Sequence, residues 1–178
     1  MLYDIKEDGQ RIIIFCSDWG LGMMSKVKSL HSDGTFKTSA QFFYQLYIIH
    51  SWYKQHMFPS AYVLMTKKSE SSYKLVLQEL KTAALTLGFE LHPSIILTDF
   101  ELAAINAYKF HFPRASILGC IFHFGQCLYW KIVDLGMKVE YSNDINLRKW
   151  FKKVISLGLV PPDKVCDGFE ILLDTAPD

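Results

Sequence analysis

The chain has 178 residues, of which 50% are apolar by the broad count and 15% aromatic, with 19 Lys+Arg against 18 Asp+Glu. That apolar content excludes a disordered tail, and a net charge of +1 excludes a uniformly basic nucleic-acid coat while leaving room for a local basic patch. A chain of this length holds one domain with a real core.

Met1 to Asp8 is polar and acidic, so no positive n-region and apolar h-region of a signal peptide is visible. The longest apolar stretches, Arg11 to Cys16 and Ile117 to Trp130, fall short of the roughly 20 residues that a bilayer span requires. The four cysteines (Cys16, Cys120, Cys127, Cys166) are mostly far apart and no Asn-x-Ser/Thr acceptor occurs, which points to reduced thiols inside a cell, with no membrane partner.

In chain order, the first readable element is the apolar run Arg11 to Cys16, followed by the capping and turn cluster Ser17-Asp18-Trp19-Gly20 and a short amphipathic run to Ser29. Three strand-like segments come next: one around His31 to Phe36, one from Phe42 to Trp52, and one from Ala61 to Met65 with Pro59 as a turn marker before it. Short links make them an antiparallel meander. From Ser69 to Leu87 the period becomes helical, with Ser69 as cap, Glu70 in the first turn and Gly88 as terminator. Ser94 to Thr98 reads as a buried parallel strand, Glu101 to about Phe110 as a helix, Ala115 to Leu118 as a fifth strand, and about Phe122 to Leu135 as a further helix. Beyond Gly136, Asn143 to Leu157 forms an amphipathic helix, and another surrounds Val165, Phe169 and Leu172.

The order β-β-β-α-β-α-β-α gives an α/β fold, a mixed five-stranded sheet with helices on both faces. The fourth strand is expected beside the first, which places the chain reversal and a ligand crevice between them. The expected organisation is residues 1–28 as an N-terminal flank, 29–136 as the core and 137–178 as the start of an all-helical insertion.

Asp33 in the first strand and Asp99 at the end of the fourth then meet at that crevice. Two converging carboxylates repel unless one is protonated or a cation lies between them, and hard oxygen ligands suit Mg²⁺ or Mn²⁺. Gly34 beside Asp33 offers space for an approaching phosphate backbone. On spacing alone Asp33-Gly34 is equally an ordinary turn and Asp99 an ordinary helix cap. Gly20-Leu21-Gly22 lacks a dinucleotide fingerprint's third glycine and no phosphate-binding Walker loop exists, so no nucleotide cofactor is expected. Lys67-Lys68, Arg148-Lys149 and Lys152-Lys153 are basic clusters suited to phosphates or to solvated helix faces.

Four motifs occur in order: Asp33-Gly34-Thr35-Phe36, Phe43-Tyr44-Gln45-Leu46, Thr98-Asp99-Phe100-Glu101 with Ala103-Ala104-Ile105, and Gly119-Cys120-Ile121-Phe122-His123-Phe124. Together they closely resemble the DDE core of Mutator-like element (MULE) transposases, and Leu159 to Asp163 resembles a stretch of that family's helical insertion. The resemblance implies an RNase H-like fold whose three acids bind two divalent ions, Mg²⁺ or Mn²⁺. It implies an enzyme that hydrolyses a phosphodiester at a transposon end, then joins the freed 3′-hydroxyl to target DNA, in the nucleus and with self-association. Asp33 and Asp99 match the first two acids. The third, a glutamate after the insertion, has no match, because Glu140, Glu170 and Asp174 lie inside or before that insertion. The family's N-terminal zinc-binding module has no match either. The chain is thus expected to be a fragment or decayed copy, the alternative being a domesticated, non-catalytic DNA- or protein-binding module that keeps the fold.

Cys120 and His123 match the family's C-x-x-H motif and open a helix, with Cys127 one turn further on. Three soft ligands do not complete a structural zinc site, which normally has four, and a place for His111 as the fourth is not legible. Zinc is not assigned, and the pair is expected to support the fold.

Overall fold

The computed structural model of the protein describes residues 2–7, 9–35 and 42–177, and it divides into two compact units, Met1–Leu118 and Gly119–Asp178. Phe36 of the first motif lies outside the described residues.

The first unit is built on a mixed sheet of seven strands: β1 (Leu2–Glu7), β2 (Gln10–Cys16), β3 (Ser29–Thr35), β4 (Gln45–Tyr53), β5 (His56–Met65), β6 (Ile95–Thr98) and β7 (Ser116–Gly119). Their spatial order is β1-β2-β5-β4-β3-β6-β7. The five expected strands are β3 to β7, so the count of five is corrected to seven. The two additions form a hairpin that turns at Gly9, whose φ of +68° is a left-handed conformation suited to glycine, and β2 pairs antiparallel with β5. The residues expected as a flank thus supply two strands and a helix, α1 (Asp18–Lys26), capped by Ser17, whose hydroxyl accepts the Gly20 N–H at 3.1 Å.

The β4–β5 hairpin turns at Lys54 and Gln55, both at positive φ (48° and 65°). Pro59 is therefore not the turn. It lies within β5 at a bulge, where the register passes from Ile49↔Ala61 to His50↔Pro59 and leaves Ser60 without a cross-strand partner. A strand tolerates proline at such a break, since no ladder N–H is required of it.

Two longer helices complete the unit. In α2 (Glu70–Thr86) the Ser69 hydroxyl accepts the Ser72 N–H at 3.2 Å, and Gly88 at φ +75° ends the run, as its sequence predicts. α3 (Leu102–His111) packs beside α2. Cross-strand registers place Ile12, Ile14, Tyr47, Ile49, Val63, Met65, Leu30 and Ile96 on one face of the sheet, where they meet Leu21 and Met24 of α1, Tyr73, Val76 and Leu80 of α2, and Ala104 and Tyr108 of α3. Each fully buried side chain of the Ile, Leu or Met kind contributes roughly 1.5–3 kcal/mol. Within this unit all three helices cover that one face, instead of both.

The second unit is helical: α4 (Ile121–Asp134), α5 (Lys138–Asn143), α6 (Ile145–Ser156) and α7 (Val165–Asp174). Gly136 at φ +77° ends α4, Asp144 caps α6 through bonds from the Asn146 and Leu147 amides (2.6 and 3.3 Å), and the Trp150 indole donates to the Leu172 carbonyl at 2.7 Å. Among the described residues no helix is long and apolar enough to cross a membrane.

Candidate functional site

The sheet reverses direction between β3 and β6. β3 closes the antiparallel meander, and β6 runs parallel beside it in the register Ser29↔Ile95, Leu30↔Ile96, His31↔Leu97. One residue further, the Ser32 hydroxyl donates to the Thr98 hydroxyl at 3.1 Å. Asp33 and Asp99 are the next residues along these two neighbouring segments. The expected adjacency of the first and fourth strands is met, and with it the place of the two aspartates at the carboxyl end of a switch point, where open α/β sheets bind ligands.

Asp33 falls on the sheet face opposite the apolar core, half-buried, on the side shared by Ile48, His31 and His50. Burial lowers the pKa of His50, and the Asp33 carboxylate raises it in part. The His31 ring stacks on Trp52 with centroids 5.5 Å apart. Asp99 follows the strand and its carboxylate accepts the Glu101 N–H at 3.1 Å. That bond makes a tight turn before α3 rather than a helix cap, for the cap position is Glu101, which makes no side-chain capping bond.

Glu101 is the acid that sequence reading quoted but gave no role; its signal was its place two residues after Asp99. Its side chain is only 17% exposed and lies 3.9 Å from the Lys68 ammonium. Burial raises its pKa, Lys68 lowers it, the neighbouring Asp99 raises it, and the Tyr73 hydroxyl lowers it. The Glu101 carboxylate is thus paired with Lys68, and among the described residues no set of three or more His, Cys, Asp or Glu side chains converges as a metal-holding group.

Gly34 has a different reason from the one its sequence suggests. A Cβ there would lie 2.8 Å from Oε1 of Gln45, a fully buried side chain whose Nε2 donates to the Tyr73 hydroxyl at 2.6 Å. The space beside Gly34 is filled by protein and does not wait for a phosphate.

In the second unit Cys120 occupies the cap position of α4 without a side-chain capping bond, and His123 sits one turn in, partly buried. Cys127 is exposed, and all four cysteines are free thiols. His111 belongs to the first unit, where its Nε2 bonds to the Lys74 carbonyl at 2.9 Å.

A mixed sheet that reverses direction between β3 and β6, with Asp33 and Asp99 following the last bonded pair, makes this an α/β domain. The chain belongs to the MULE transposase domain family, whose match spans residues 29–126, more than half of its length. Membership ties it to DNA transposition and to transposable elements. Among curated proteins none matches the chain.

Proposed function

We propose that the first unit is an RNase H-like catalytic core of the DDE type, acting on transposon ends and target DNA in the nucleus, with Asp33 and Asp99 as two of its metal-binding acids. The observation that carries this reading is the position of the two aspartates, each one residue beyond the hydrogen-bonded Ser32–Thr98 pair on adjacent parallel strands. The strand order β5-β4-β3-β6-β7, three antiparallel then two reached by crossovers, supports the RNase H-like assignment.

Two hard carboxylates fit Mg²⁺ or Mn²⁺, because such an ion takes one or two acids and completes its octahedron with water and substrate phosphates. When bound, the ion would polarise the scissile phosphate and lower the pKa of an attacking hydroxyl or water. The chain's own part is to hold two anionic oxygens on rigid strand ends, with Glu101 fixing Asp99 through its backbone amide. With no third acid converging among the described residues, one ion is held and a second is not, so the chain by itself is expected to bind metal weakly and to leave DNA uncut.

The test is calorimetric titration of Mn²⁺ into the wild type and into Asp33→Asn/Asp99→Asn. Binding heat is expected from the wild type alone, and identical heats from both would refute the assignment.

A further inference from the structure

Two hydrogen-bonded hydroxyl pairs lie in the core beside the strand ends that lead to the two aspartates. Ser32 donates to Thr98 at 3.1 Å, and the Tyr47 hydroxyl donates to that of Tyr108 at 3.1 Å. None of the four residues is more than 5% exposed. Tyr47 stands opposite Gly34 in the β3–β4 register, and Tyr108 comes from α3. The first pair therefore ties β3 to β6 immediately before Asp33 and Asp99, and the second ties β4 to α3 beside it.

Stability does not explain the two pairs. Replacing both partners of a buried hydrogen bond by apolar groups of the same shape can be nearly neutral, and Ile12, Ile14, Ile49, Val63 and Ile96 fill neighbouring positions of the same sheet face. Hydrogen bonds add direction, which packing alone lacks. Direction matters here because β6 has only four residues and its ladder with β3 is short. A slip of one residue would move one carboxylate about 3.3 Å along the strand and turn it to the other face. Ligating groups must be held to within about 0.5 Å.

We propose that the Ser32–Thr98 hydroxyl pair, backed by the Tyr47–Tyr108 pair, forms a positioning clamp that sets the spacing of Asp33 and Asp99 for a divalent ion. The inference rests on the reading of those aspartates as a metal-binding pair, and none of the four hydroxyls touches the ion.

The experiment compares Thr98→Val, which keeps the shape and removes the hydroxyl, with Thr98→Ser, which keeps the hydroxyl. Mn²⁺ affinity of the 178-residue chain is measured by calorimetry and by the paramagnetic resonance signal of the bound ion; amide hydrogen exchange is followed without metal. Thr98→Val is expected to lose roughly fivefold or more in affinity and Thr98→Ser to stay within about twofold, as a net hydrogen bond of ordinary strength implies. In the metal-free protein, exchange should quicken at residues 32–33 and 98–101 while α2 stays protected. Wild-type affinity in Thr98→Val, beside lost binding in Asp33→Asn/Asp99→Asn, overturns the clamp and leaves the metal pair standing. Lost affinity with uniformly faster exchange across the whole sheet also overturns it, because that is general unfolding. A wild type without Asp-dependent Mn²⁺ binding removes the metal reading and the clamp with it.

Discussion

Two glycines in one turn of α1 should respond to alanine in opposite ways. A Cβ on Gly20 would lie 2.3 Å from the carbonyl oxygen of Ser60 and 3.3 Å from the Cys16 sulfur. That oxygen is main chain at the β5 bulge, already accepting the Cys16 thiol at 3.2 Å, and β5 is fixed between β2 and β4. The helix must therefore retreat by nearly 1 Å, and a gap of that size forfeits a quarter to a half of the dispersion well of the atoms it separates. The side chains separated are Leu21 and Met24, both wholly buried. With roughly 1.5–3 kcal/mol for each of them, and overpacking strain of about 1–3 kcal/mol, the clash outweighs the roughly 1 kcal/mol that alanine adds in helix propensity. The net loss for Gly20→Ala is about 2 kcal/mol. At Gly22 the same Cβ meets only the edge of the Phe89 ring, at 3.3 and 3.4 Å, and a side-chain ring can tip aside. Gly22→Ala should be neutral or stabilising by up to about 1 kcal/mol. Urea unfolding followed by circular dichroism, with amide exchange in α1 and β5 to localise the change, measures both. Equal midpoints for the two variants, or a Gly20→Ala chain as stable as wild type, would refute the reasoning.

Thiol chemistry and acid titration offer two further checks. Burial pushes the Cys16 thiol up to about 11, so at pH 8 iodoacetamide should label the exposed Cys127 and Cys166 and spare Cys16; rapid labelling of Cys16 in the folded chain would contradict its burial. Burial also holds His31, His50 and His111 below the ordinary histidine range, so the unfolded chain takes up protons first as pH falls. Their contribution to stability is complete above the unfolded value of about 6.5 and is lost on acidification below it, so the urea midpoint should drop between pH 7 and 5.5; a flat or rising midpoint would reverse that sign.

Much of this architecture is legible one segment at a time. α2 announces itself through helical spacing, Ser69 and Gly88, and the adjacency of β3 and β6 follows from the handedness of the crossover. β1 escapes because Asp4, Lys6 and Glu7 among Leu2, Tyr3 and Ile5 look like a polar flank; the Asp8-Gly9 dipeptide was the available hairpin signal. Pro59 misleads for the opposite reason, since proline usually marks a boundary and here a bulge absorbs it. At the site, Asp33 and Asp99 stand out by chemistry, while Ser32 and Thr98 are unremarkable in their own strands. Only the pairing of strands gives those two hydroxyls a meaning, and pairing is not a local property.

The contact between Ser32 and Thr98 spans 66 residues, whereas the β3–β4 hairpin joins neighbours in the chain. Closing so long a loop costs chain entropy before any contact rewards it, which makes parallel pairing across a crossover a slow event. The meander and α2 can form from nearer partners. The two aspartates therefore come together only when the crossover has docked, and a half-folded chain presents one carboxylate without its companion. On the proposed reading of Asp33 and Asp99, metal capture would thereby be coupled to the completion of the fold, with no ion bound at this pair until the β3–β6 seam is sealed.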